Sequence, residues 1–252
     1  MQTATRLSSS NTAFEEAASR TRSGRIAGAL YLITIVAGIF SLIYVPAHLY
    51  VHDDIAATAR NIVAEQTLYR WGIIVGAAGY VAFTLLPLSL FQLFETTNRA
   101  WAVTMMVLAL IAMPMDFLAI ANQLDVISLL TADKYQHLYS TNELLGNVAR
   151  TLDAASDKII VSEIFWGLWL FPFGLLVFHC NFLPKVLGVA LMLGCLGYLI
   201  VVAGEVFSID FSLGGWISLP ATVGEIGTGL WLLIAGPRRW LWQRPSMGER
   251  TS

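Results

Sequence analysis

The sequence predicts an all-α integral membrane bundle of about six transmembrane helices, with both termini in the cytoplasm and short outer-surface helices in the first and third loops. Three observations carry this reading. The 252 residues are 56% hydrophobic and only 13% charged, with a mean hydropathy of +0.66, whereas a soluble domain carries about a quarter charged residues. Apolar windows recur at the length of roughly 20 residues that a hydrocarbon core about 30 Å thick requires. These windows are continuous rather than alternating, so helices, not barrel strands, must satisfy the backbone polar groups in lipid.

The predicted spans are Ile26 to Val45, Trp71 to Phe94, Trp101 to Leu130, Ile159 to His179, Val186 to Gly204 and Trp216 to Gly236. Trp71, Trp101, Trp216 and the Trp240/Trp242 pair lie at or just beyond their ends, where aromatic rings favour the lipid interface. The first window is too long for a cleavable signal core and reads as a retained span. The third is longer than a crossing needs, so it is expected to tilt or to emerge on the outer side. Residues 1–24 are rich in Ser, Thr, Ala and Arg and are expected to form a disordered cytoplasmic tail, with 25–240 the membrane domain and 241–252 a second tail.

Orientation follows from the basic residues. Arg6, Arg20, Arg22, Arg25, Arg99, Lys185, Arg238, Arg239, Arg244 and Arg250 fall on one side, and Arg60, Arg70, Lys134, Arg150 and Lys158 on the other. The richer side is assigned to the cytoplasm. On the outer side, Asp53 and Asp54 can cap a short helix that turns Ile55, Ala59, Ile62 and Val63 one way, and Tyr135, Leu138 and Tyr139 precede Leu144, Leu145, Val148 and Leu152 at helical spacing. Both segments are expected to lie on the membrane surface as a partial lid. The connections Glu95 to Ala100 and Cys180 to Lys185 are short and force antiparallel hairpins. Phe83 to Phe91 echoes Leu168 to Leu176 around Pro87 and Pro172, a weak sign of an internal repeat.

Ionisable residues inside apolar spans are costly and mark candidate sites. Glu225 continues a stripe with Ser218, Thr222 and Gly229, and Asp116 shares a face with Ala109, Ala112, Ala119 and Gln123. Glu163 and Glu205 are placed at the outer rim with Asp125. The first span adds Tyr31, Thr34, Gly38 and Ser41 at helical spacing. Together Asp116, Gln123, Glu163, Glu205, Ser218, Thr222 and Glu225 are the candidate ligand- or proton-binding residues of an outward-facing polar cleft. Small and hydroxylated residues also serve plain helix packing, which is the competing reading. Pro87, Pro114, Pro172 and Pro220 each remove a helical hydrogen bond and are candidate kinks.

His48 and His52 stand at i and i+4 before Asp53 and Asp54, a spacing that two zinc ligands could use, but no HExxH pattern accompanies them. Cys180 and Cys195 make no CxxC pair and read as small packing residues. No phosphate loop, dinucleotide fingerprint or GxSxG elbow is present, so no cofactor and no catalytic residue is expected. A net charge of −2 offers no basic field for nucleic acid.

The stretches from Gly167 to Phe178, Phe182 to Leu193 and Gly197 to Leu199, with Arg25 to Leu32 and Ala59 to Ile62 before Leu68 to Arg70, resemble a bacterial family of multi-pass membrane proteins known only as a domain of unknown function. The resemblance implies a prokaryotic inner-membrane protein and supplies no activity. The residues themselves lead to a protein that binds or transports a small or lipid-like molecule within the bilayer. A metal-dependent intramembrane hydrolase and a non-catalytic subunit or assembly factor are the alternatives.

Overall fold

The computed structural model describes residues 21–209 and 213–234, all helix and connection with no strand among them. The tails fall outside these residues, except that positions 21–24 are already helical rather than tail. Trp240, Trp242 and the end of the sixth window also lie outside them.

Six helices are long and apolar enough to cross a membrane. They comprise α1 (Thr21–Leu49), α3 (Gln66–Phe94), α4 (Arg99–Thr131), α6 with α7 (Thr141–Leu168 and Leu170–His179), α8 (Lys185–Phe207) and α9 (Leu219–Ile234), the last entered through a 3-10 turn, Leu213–Ser218. Two shorter helices, α2 (Ile55–Ala64) and α5 (Asp133–Leu138), occupy the first and third connections. Chain order makes the bundle antiparallel, with the long first, third and fifth connections at one end and the short second and fourth at the other. The chain is a multi-pass membrane protein.

Local chemistry sets the boundaries. Asp54 caps α2, its carboxylate accepting from the Ala57 N–H at 2.8 Å, while Asp53 takes the left-handed turn before it. Asn98 caps α4 by accepting from the Trp101 N–H. Ser140 and Glu143 form a reciprocal capping box that starts α6.

Proline acts differently at its several positions. Pro87 and Pro114 sit inside helices that continue past them, each without the one backbone N–H that proline lacks. Pro172 follows the interruption at Trp169 that separates α6 from α7; its ring displaces the carbonyl four residues earlier, at Leu168. Pro220 lies in the first turn of α9, where no intrahelical donor is lost, so it begins that helix rather than kinking it. A fifth proline shapes α1. Pro46 cannot donate to the turn before it, and Ile39–Tyr44 there widens into a π-helix.

Two apolar cores stack along the bundle. The larger includes Leu86, Leu90, Phe94, Met105, Phe173, Leu176, Val177 and Leu191 and fills the short-connection half. The smaller joins Val45, Leu49, Ala59, Ile62, Tyr69, Val126, Ile127, Leu130 and Val148 at the long-connection end. Ile55, Ala59 and Ile62 thus turn one way, as their spacing predicts, while Val63 remains exposed. The second expected surface helix takes another form. Leu144 to Leu152 belong to α6 itself, and α6 with α7 runs for 39 residues, about 58 Å at 1.5 Å per residue. Leu145, Val148 and Leu152 find an apolar partner in the smaller core, which removes any reason for the helix to stop and lie flat.

Small residues set the distances between helices. A Cβ at Gly79 would meet the Ala37 Cβ at 2.7 Å, one at Gly194 would meet the Ala221 Cα at 2.7 Å, and one at Gly197 would meet the Ile217 carbonyl oxygen at 2.5 Å. Gly28 likewise lets α1 touch the backbone of α9 at Gly229 and Leu233. The first helix is therefore pinned to α9 near its start and to α3 further along.

A candidate ligand chamber

Between those two contacts the helices separate around a cavity of about 480 Å³. Its walls come from α1, α3, α6, α8 and α9, and it occupies the middle and the long-connection half of the bundle. Below it the larger apolar core is closed.

Helical periodicity brings the lining together. Tyr31, Thr34, Gly38 and Ser41, which share one face of α1, all reach the cavity, as do Ser218, Thr222 and Glu225 from the other side and Glu163 from α6. The π-turn contributes Ile39, Ser41, Leu42 and Ile43, with Ile39 and Ile43 exposed at the cavity's edge. A side chamber of about 130 Å³, bounded also by Val201 and Ala221, reaches Glu163, Tyr198 and Glu225 from between α8 and α9.

The polar groups divide by what they can offer. The hydroxyls of Thr34, Ser41 and Thr222 donate to the carbonyls of Leu30, Ala37 and Ser218, four residues back on their own helices, at 2.9, 2.8 and 3.0 Å. Their hydrogens are committed, so these hydroxyls present lone pairs. Glu163 and Glu225 add carboxyl oxygens, and among the described residues no Lys, Arg or His lines the cavity. The Tyr31 hydroxyl is buried and points towards Glu225 without reaching a bond of good geometry. Tyr198 stands within electrostatic reach of both Glu225 and Glu163. Glu205, exposed on α8, acts on Glu163 from outside the cavity.

Aromatic rings form the rest. Tyr31, Phe83 and Trp169 make a floor, with Trp169 set 5.9 Å from Tyr31 and edge-on to Phe83 at 5.3 Å. Tyr80 and Trp166 pair on the wall at 6.4 Å. Of these rings only Tyr31 was an expected cleft residue; Tyr80, Phe83, Trp166 and Trp169 were not. Trp166 and Trp169 sit at i and i+3 beside Glu163, a spacing that puts all three on one side of the helix and was legible in the sequence.

Asp116 occupies a different place from the one expected. It is fully buried on α4, behind the wall, and its Oδ2 accepts from the Trp166 indole N–H at 3.3 Å. It does not line the cavity and does not meet Glu225 there; its Oδ1 has no partner. Gln123 also lies away from the cavity, its backbone carbonyl accepting from the Tyr69 hydroxyl at 3.2 Å. The expected lid is displaced as well, since no residue of α2 or α5 lines the cavity.

The two histidines of the first connection take separate partners. His48 Nδ1 lies 2.9 Å from the Tyr44 carbonyl, and exposed His52 pairs with Asp53 at 3.2 Å. Among the described residues no group of three or more His, Cys, Asp or Glu stands together as a metal site would need.

No curated protein and no solved structure matches the chain. The family model described as Domain of unknown function (DUF4386) matches residues 26–236, which takes in every lining residue of the chamber. With its bundle of six membrane-spanning helices, the chain belongs to this family.

Proposed function

We propose that this protein binds, and moves across or releases from the bilayer, a small or lipid-like molecule held in the chamber between α1, α3, α6, α8 and α9. One observation carries the reading: a cavity of about 480 Å³ that reaches polar groups in the middle of a membrane bundle. That volume lies within the range of small-molecule sites, which run to about 300–1,000 Å³ and combine apolar walls with a few placed polar groups. Helix packing alone gives no reason to keep two carboxylic acids on an open surface at that depth, where each is costly.

The chamber belongs to the outer face of a bacterial cytoplasmic membrane, with both termini inside. The excess of Lys and Arg on the terminal side supports this orientation. Single cysteines at Ser218 and Thr222, in a chain whose Cys180 and Cys195 are replaced by alanine, test it. Both should react with a membrane-impermeant maleimide added to intact spheroplasts. Absence of labelling from either side, or labelling only in inverted vesicles, would overturn the proposal.

A further inference from the structure

We infer that the chamber selects a protonated amine attached to an apolar body; this rests on the chamber being a ligand site, and adds the chemical class. The lining is rich in acceptors and, among the described residues, carries no basic side chain. Two carboxyl groups, Glu163 and Glu225, meet the cavity, and among the described residues no Lys, Arg or His lines it with them and the one ion pair, His52 with Asp53, lies elsewhere. Three hydroxyls that could have donated are turned into acceptors by their bonds to Leu30, Ala37 and Ser218. The Tyr31 hydroxyl is buried within hydrogen-bonding reach of Glu225, and Tyr80, Tyr198 and Ser218 supply the further hydroxyls of the lining.

A ligand complementary to such a lining brings N–H donors and positive charge. A neutral alcohol offers one donor, and an anion would face two carboxyl groups with only neutral hydroxyls to receive it. The rings of Tyr31, Tyr80, Phe83, Trp166, Trp169 and Tyr198 add faces of negative potential that attract a desolvated cation. Asp116 contributes from behind. By accepting the Trp166 indole N–H at 3.3 Å, it holds that ring in the wall and makes its face more electron-rich. The same rings supply the apolar surface against which the body of the amine would pack.

The experiment uses purified full-length protein in detergent at neutral pH, with binding followed by calorimetry and by tryptophan emission. Phenethylammonium is compared with phenethyl alcohol, which has the same body without the charge, and with phenylacetate. The expected result is that the ammonium binds at least about tenfold more tightly than the alcohol, the ratio that one desolvated cation–ring contact supplies. Glu225→Gln and Glu163→Gln should each weaken the ammonium several-fold more than the alcohol.

Equal affinities, tighter alcohol or phenylacetate, or no binding by any of the three would overturn the inference. The comparison is made on the unaltered chain, so it decides even where a Gln variant fails to fold. Failure here combined with labelling at Ser218→Cys would leave the chamber standing as a site for another class of ligand. Failure of both would remove the site as well.

Discussion

At the scale of single residues, the buried polar atoms without partners separate function from packing. A buried hydroxyl that makes no bond loses its hydration for nothing, at a cost of about 1 to 3 kcal/mol. Tyr31 and Thr228 both hold such atoms, but only Tyr31 faces the chamber. Thr228→Val should therefore raise thermal stability by about 1 kcal/mol and leave ligand binding unchanged. Tyr31→Phe should be stable to the same degree and should weaken binding, as measured by paired melting curves and titrations. Equal effects of the two substitutions on binding would deny Tyr31 its role. Asp116 yields a different contrast, because its carboxylate serves the Trp166 indole. Asp116→Asn keeps an acceptor and should retain the tryptophan emission spectrum, whereas Asp116→Ala strands the indole N–H and should shift the spectrum and cost about 1 to 3 kcal/mol. That Glu225 and Asp116 were special could be read from their depth in apolar windows. That one faces a cavity and the other a tryptophan could not, since both stripes have the same small-residue pattern.

Among the elements, glycine and proline decide how closely the helices approach and where they part. The contact of α8 with α9 depends on Gly194, where an added Cβ would press on the Ala221 backbone. Gly194→Ala should separate those helices and destabilise the bundle by about 1 to 3 kcal/mol, the usual cost of overpacking. Gly146, in α6, has nothing within 4 Å of a built Cβ, so Gly146→Ala should stabilise by about 0.5 to 1 kcal/mol through helix propensity alone. Melting temperatures moving in opposite directions would check both. Glycines on spans two and five, Gly79 in the one and Gly194 and Gly197 in the other, stand where neighbouring helices approach closely. The π-turn of α1 was less visible, because Pro46 falls one residue past the apolar window in which its effect appears. Proline's consequences reach back a full turn, to the carbonyl it displaces, so a span drawn to end at Val45 conceals the distortion within it.

Taken as a whole, the molecule is longer than a bilayer is thick. The 33 residues of α4 extend about 50 Å and α6 with α7 about 58 Å, against a hydrocarbon core of about 30 Å. The surplus forms a second body at the long-connection end, stabilised by its own core and by α2. Ile62 is fully buried there. Ile62→Ala should cost about 2 to 5 kcal/mol, and Ile62→Asp should release α2, so that trypsin cleaves at Arg60 while the amine still binds in the chamber. Loss of binding in step with α2 release would show instead that the two bodies act as one.

Length, composition and the sixfold recurrence of apolar windows were enough to determine a helical membrane bundle, because a bilayer leaves the backbone few other solutions. Helical spacing also placed Tyr31, Thr34, Gly38 and Ser41 on one face, and Ser218, Thr222 and Glu225 on another. Only the tertiary structure decided that these faces meet across an open space, that Trp166 and Trp169 line it, and that Asp116 stands behind the wall. The reason is physical. Periodicity reports which residues share a side of one helix, but a cavity exists only where several helices fail to close, and that depends on contacts such as Gly79 with Ala37 and Gly28 with α9, made between segments far apart in the chain.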